Sequence, residues 1–286
     1  MSMRRLTRRM REKAYLLSRP WTRQPLVFIF STGRTGTNFL ASSLDRIEGV
    51  RAVHEPRPDL FDLGTGALRN EVAPDDVGTG LLLARRALWQ EAKRRGEVLI
   101  ESNPFLTYVL PQVAETLPHA RYIFVHRRFE TYLRSAFNKA PDGSGRFFFY
   151  AENDHRNRLT PNCVGDERFR HLWPSFERHE RIAWHWIWVN ERAIDILDAP
   201  GGPHVEVVRF EDLFSPDTGP QTLSRLIDRL DLPTPGRTDA IDALGTRVNT
   251  NRILPMDDLE SMGPVHSELR RAVDAVSGRL AQLSAG

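Results

Sequence analysis

Cysteine is almost absent from this chain: Cys163 is the only one in 286 residues. A single cysteine can neither close an internal disulfide nor build a cysteine-based zinc site, so both classes drop out. Lysine is nearly as scarce, with Lys13, Lys93 and Lys139 the only ones among 40 basic residues. None of the three follows a glycine, so the Gly-Lys-Ser/Thr loop of kinases and nucleotide hydrolases is missing. No stretch approaches the roughly 20 consecutive apolar residues of a membrane span, and no apolar h-region follows the N-terminus. The expectation is a chain neither exported nor inserted, with the cytoplasm as its default. Internal repeats and low-complexity tracts are lacking too.

What is present is enough hydrophobic residue, 40% of the chain, for the sizeable core of a globular α/β protein. The net charge of +3 conceals an asymmetry. Eight basic residues against Glu12 give residues 1–23 a charge of +7, so the remainder carries −4. We therefore separate a basic extension, residues 1–24, from a mildly acidic body, residues 25–286. With Leu6, Met10, Tyr15, Leu16 and Leu17, the extension reads either as a solvated or frayed helix or as a contact for anionic lipid.

Residues 26–30 form an unbroken apolar and aromatic run, as in a strand buried on both faces. Residues 31–37 break it. Gly33 and Gly36 allow a tight turn of positive φ, and Thr35, Thr37 and Asn38 lead into the helical spacing of Phe39, Leu40, Leu44 and Ile47. Free N–H groups and a positive dipole end make such a helix start an anion site, to which Arg34 adds fixed charge. Further strands are predicted at 50–54, 97–101, 121–126 and 204–210, and helices near 81–95, 105–117, 129–138, 176–199, 220–231 and 264–283. Strand alternating with helix implies a doubly wound parallel sheet, because parallel strands need crossovers. The Gly- and Pro-containing run 63–80 reads as a loop covering a site, 139–175 as an irregular insertion or acceptor lid, and 233–262 as an irregular tail. Trp184, Trp186 and Trp188 read as core or as a sugar-stacking platform.

Two anion-binding ends emerge. One is Arg34-Thr35-Gly36-Thr37-Asn38. The other pairs Arg127, at the end of the fourth strand, with Ser135 on the following helix: a guanidinium forks onto phosphate oxygens and a hydroxyl adds a hydrogen bond. Together they suit a ligand phosphorylated at both ends. His54-Glu55-Pro56 places a carboxylate on a loop at the end of the second strand, where α/β proteins put ligands. Glu211 and Asp212 invite a metal reading, but one adjacent acidic pair more often caps a turn or pairs with an Arg.

With these residues in view, the chain resembles the sulfotransferases that use 3′-phosphoadenosine 5′-phosphosulfate. STGRTGTNF is similar to the family's 5′-phosphosulfate loop, RYIFVHRRFETYLRS to its 3′-phosphate motif, and VVRFEDL to a late strand and turn. The motifs occur in the family's order and span 26–213. The resemblance implies a single P-loop-like α/β domain in which a central parallel sheet is flanked by helices. It implies Gly33, Arg34, Thr35, Gly36, Thr37 and Asn38 at the 5′-phosphosulfate, Arg127 and Ser135 at the 3′-phosphate, and Arg247 closing over the nucleotide, although TRVNTN lacks the family's Arg-Lys-Gly.

Sulfuryl transfer also needs a base for the acceptor hydroxyl. Cytosolic small-molecule members carry a His where this chain has Asn103, whose amide is no base. Carbohydrate-type and bacterial members resemble this chain in placing a Glu one strand after the loop. Glu55 is thus the expected general base, with Arg34 as its catalytic partner at the leaving group. A pairing of Glu55 with Arg57 or an insertion-loop Arg is the structural alternative, and His54 the substitute base. The resemblance implies no metal, and a small-molecule or glycan acceptor, carbohydrate or natural product. The rival readings are a P-loop kinase or nucleotide hydrolase, in which Arg127 and Ser135 would be idle, and a nucleic-acid binder using the Arg-rich tail, which an acidic body without a basic stripe does not favour.

Overall fold

The computed structural model describes residues 14–138, 159–245 and 264–284. Five strands, β1 (Leu26–Ser31), β2 (Val50–His54), β3 (Val98–Ser102), β4 (Arg121–His126) and β5 (Val205–Arg209), form one sheet in the order β2-β3-β1-β4-β5. Every pairing is parallel. The helices are α1 (Thr37–Leu44), α2 (Phe61–Leu68), α3 (Pro74–Arg95), α4 (Leu110–Thr116), α5 (Phe129–Phe137), α6 (Arg178–Asp198), α7 (Gly219–Arg229), α8 (Arg237–Gly245) and α9 (Ser267–Leu283). Short helical turns join some of these elements.

β1 lies at the centre, and all six of its residues are buried. Its side chains alternate. Phe28 and Phe30 enter the layer made by α3, α4, α5, α6 and α9, whereas Val27 and Ile29 enter the one made by α1, α7 and α8. The continuous apolar run is therefore the signature of a strand covered on both faces, and the doubly wound sheet is as expected. Among the described residues, no helix is long and apolar enough to cross a membrane.

The clearest departure is the run 63–80. It is not a loop: α2 begins at Phe61 and α3 at Pro74. Pro74 occupies the first turn of α3, where a missing N–H costs nothing, so it starts the helix instead of breaking it. Gly64 serves packing, since a Cβ there would lie 3.0 Å from the Tyr108 ring. The irregular tail is likewise interrupted by α8.

Trp184 and Trp186 are wholly buried in α6 and belong to the core, while Trp188 stacks on Trp184 and meets Tyr108 edge-on. Within the insertion, residues 159–175 fold into single turns (Pro161–Val164, Glu167–Arg170, Trp173–Ser175) that bury Phe169 in the core. Residues 139–158 lie outside the described residues, as does Arg247. Of the basic extension, Leu16 and Trp21 are buried, with Trp21 6.0 Å from Trp89. Leu16 is thus a core residue and cannot serve as a lipid-facing one.

Candidate active site

The candidate residues gather at the carboxyl ends of the strands, where the chain leaves the sheet. After β1, Gly33 (φ 75°), Arg34 (φ 57°) and Gly36 (φ 71°) adopt left-handed backbone. The curl is pinned locally. The Gly33 N–H donates to Ser31 Oγ at 3.0 Å, and Thr32 Oγ1 donates to the Gly33 carbonyl at 3.0 Å. Gly36 takes the N-cap position of α1, and no side chain caps that helix. Its first-turn N–H groups and positive dipole end therefore lack the usual hydroxyl or carboxylate partner. Thr35 is fully buried with its Oγ1 unpartnered, Thr37 is buried, and Asn38 is exposed.

The second motif meets the first directly. Arg127 donates from Nη1 to the Arg34 carbonyl at 2.8 Å and from Nε to Thr131 Oγ1 at 3.1 Å. Its guanidinium lies 4.0 Å over the Phe210 ring. Arg34 in turn donates from Nε to Ser135 Oγ at 3.3 Å. Burial lowers the pKa of Arg34 from the ordinary guanidinium value, and its interaction with Tyr132 opposes that shift. Arg34, Arg127 and Ser135, up to 101 positions apart in sequence, thus form one cluster beside the start of α1.

Thr131, Phe210 and Glu211 complete this cluster, and the sequence reading gave none of them a role in it. Glu211 Oε1 accepts from the Arg128 N–H at 3.2 Å and from Thr131 Oγ1 at 3.0 Å, at the N-terminus of α5. A carboxylate there suits the helix dipole, and through Thr131 it orients Arg127. Asp212 pairs with Arg209. Both acidic residues are thus held within the fold. The available signal was VVRFEDL itself, which places Phe210 and Glu211 just past β5, beside β4.

Glu55 follows β2 with left-handed backbone (φ 45°), and its N–H donates to the Ser102 carbonyl at 2.9 Å. Arg57 pairs with Asp59. Asn103 is buried; its Oδ1 accepts from the Phe105 N–H and its Nδ2 donates to Glu101, so its amide serves the turn after β3. His54 Nδ1 lies 3.0 Å from Ser102 Oγ and Nε2 lies 3.5 Å from Glu55 Oε1. Burial pushes the His54 pKa down to about 4, with a hydrogen bond to the Ser102 backbone opposing, so the imidazole is neutral at neutral pH.

His126, at the end of β4, is also pushed down to about 4 by burial. Both values lie below the ordinary 6.5. Between pH 6.5 and 4 the unfolded chain binds protons that the folded chain resists, so stability is full above 6.5 and declines as pH falls towards 4. Calorimetry at pH 7 and pH 5 should show a lower Tm at pH 5. The drop should shrink in His54→Gln/His126→Gln, and equal drops in the two proteins would refute the assignment.

A groove of about 320 Å³ lies at the opposite, amino-terminal ends of the strands, lined by Gln24, Leu26, Val98 and Arg121 among others. It contains none of the candidate residues.

No family model and no curated protein matches the chain. Solved structures do. The Sulfotransferase Domain from the Curacin Biosynthetic Pathway superposes with a TM-score of 0.51 at 13% identity, covering 89% of this chain and 98% of that one. The Sulfotransferase Domain from the Synechococcus PCC 7002 Olefin Synthase gives 0.49 at 15% identity, covering 90% and 94%. A sulfotransferase from Alicyclobacillus acidocaldarius gives 0.48 at 16%, covering 92% and 95%. The chain has the α/β fold of a sulfotransferase domain, a conclusion that rests on the first of these.

Proposed function

We propose that the chain is a sulfotransferase that moves a sulfuryl group from 3′-phosphoadenosine 5′-phosphosulfate to an acceptor hydroxyl, on a carbohydrate or natural product, in the cytoplasm. The observation that carries this reading is the convergence of Arg34, Arg127 and Ser135 beside an α1 N-terminus that no side chain caps. Two cationic groups from separate motifs, next to unclaimed backbone donors, suit a ligand with anions at both ends. The buried, unpartnered Thr35 Oγ1 adds a hydroxyl to the same loop.

In this reading residues 33–38 hold the 5′-phosphosulfate and Arg127 with Ser135 the 3′-phosphate. Arg34 neutralises charge developing on the oxygen that leaves sulfur. Glu55 accepts the proton of the acceptor hydroxyl as its oxygen bonds to sulfur and the bond from sulfur to the 5′-phosphate oxygen breaks. No step in this scheme calls for a metal. The acceptor enters on the Glu55 side of the cluster, opposite the oxygen that departs.

Adenosine 3′,5′-bisphosphate should raise the Tm more than ATP with magnesium does, and the reverse order would favour a kinase. Arg34→Ala and Arg127→Ala should each weaken bisphosphate binding measured by calorimetric titration. Each removes a charge-assisted contact of about 1.5–3 kcal/mol, or roughly 10- to 100-fold in Kd. Unchanged affinity in both would refute the two-ended site.

A further inference from the structure

A buried ion pair touches the loop that carries Glu55 without taking part in the chemistry above. Arg85 of α3 and Glu101 of β3 are both inaccessible to solvent, and the guanidinium grips the carboxylate at two points, Nε to Oε2 at 2.7 Å and Nη2 to Oε1 at 2.9 Å. Stability alone is a weak reason for such a pair, because a well-packed apolar pair of similar volume often does as well or better. Arg85 offers something an apolar residue lacks. Its Nη1 donates to the Pro58 carbonyl at 2.6 Å, three residues beyond Glu55.

We propose that the Arg85–Glu101 pair is a positioning device that fixes the loop carrying Glu55. The segment 55–58 is held at both ends from one strand. Ser102 accepts the Glu55 N–H at 2.9 Å, and the neighbouring Glu101 aims Arg85 at the Pro58 carbonyl. Glu101 is itself braced by Asn103 Nδ2 at 3.2 Å. With both anchors in place, Glu55 keeps its left-handed backbone and its carboxylate keeps a fixed direction. With Arg85 gone, the Pro58 carbonyl loses this anchor while the Ser102 bond stays. The catalytic part of this inference rests on the reading of Glu55 as the base; the anchoring part does not.

The test is amide hydrogen exchange together with steady-state kinetics on the full chain. In Arg85→Met/Glu101→Met, which removes both charges at once, exchange across 55–60 should quicken by about 10-fold or more while β1 and β3 keep wild-type protection. Arg85→Lys, which presents one nitrogen where three are used, should quicken the same segment. Affinity for adenosine 3′,5′-bisphosphate should stay at the wild-type value, and kcat should fall by a factor on the order of 10–10², as expected for a base misplaced by about 1 Å. If exchange at 55–60 is unchanged in Arg85→Lys and in the folded double variant, the anchor is refuted. Faster exchange with unchanged kcat refutes positioning of the base. A wild-type protein that transfers no sulfuryl group to any acceptor overturns the sulfotransferase reading, and exchange alone then decides the anchor.

Discussion

Glu55→Gln should cut turnover by a factor on the order of 10²–10⁴ and leave binding of adenosine 3′,5′-bisphosphate nearly unchanged. The substitution keeps volume and shape. It also keeps the backbone bond from residue 55 to the Ser102 carbonyl at 2.9 Å, so the loop should hold its conformation while losing its proton acceptor. His54 is the nearest competitor, with Nε2 3.5 Å from the carboxylate. Its imidazole is neutral at neutral pH, which a base requires, but its Nδ1 is engaged with Ser102 Oγ, and burial holds its pKa near 4. Both ring nitrogens thus already face a partner, Ser102 Oγ and the Glu55 carboxylate. His54→Gln should therefore cost far less than Glu55→Gln. The comparison is made by single-turnover transfer from radiolabelled donor. The reverse ranking would make His54 the base, and wild-type rates in both variants would remove the entire loop from the chemistry.

The strand positions were legible because each strand is short, apolar and followed by polar residues, and because β1 is apolar on both faces. The tight turn after β1 was legible through Gly33 and Gly36, both of which have left-handed backbone. The placement of Arg127 just past β4 and of Ser135 on α5 was legible from the strand-then-helix pattern. Their contact with Arg34 was not, since it depends on β1 and β4 being neighbours, a fact of strand order that no local pattern carries. Phe210 and Thr131 were overlooked for the same reason: their roles exist only once β5 lies beside β4. The run 63–80 resembles a loop because glycine and proline are common in turns, whereas here Gly64 lets a helix approach Tyr108 and Pro74 starts one. Arg85 and Glu101 were hidden by composition. One Arg of the adjacent pair Arg85-Arg86 in a basic helix gives no sign that it faces inward onto a strand carboxylate.

Gly36→Ala should have the largest effect on the donor end. Two separate penalties meet at this position. The backbone is left-handed (φ 71°), which costs a residue bearing a Cβ about 1–2 kcal/mol. The added methyl would also overlap the end of the Phe214 ring. That ring cannot swing away freely, since it packs 4.8 Å from Phe210 and edge-on against Phe39 at 6.4 Å. Overpacking of this kind costs a further 1–3 kcal/mol or so. Because Phe210 in turn supports the Arg127 guanidinium at 4.0 Å, displacement of Phe214 propagates to Arg127. The variant should melt lower by on the order of 10 °C and lose most of its affinity for adenosine 3′,5′-bisphosphate. Gly36→Ala/Phe214→Leu separates the two penalties. Trimming the ring should restore part of the stability by relieving the overlap, while the backbone penalty keeps the double variant below wild type. A Tm within about 2 °C of wild type for Gly36→Ala alone would mean that the loop tolerates a side chain at its tightest point. The coupling of all three sequence motifs through Gly36, Phe210 and Arg127 would then be wrong.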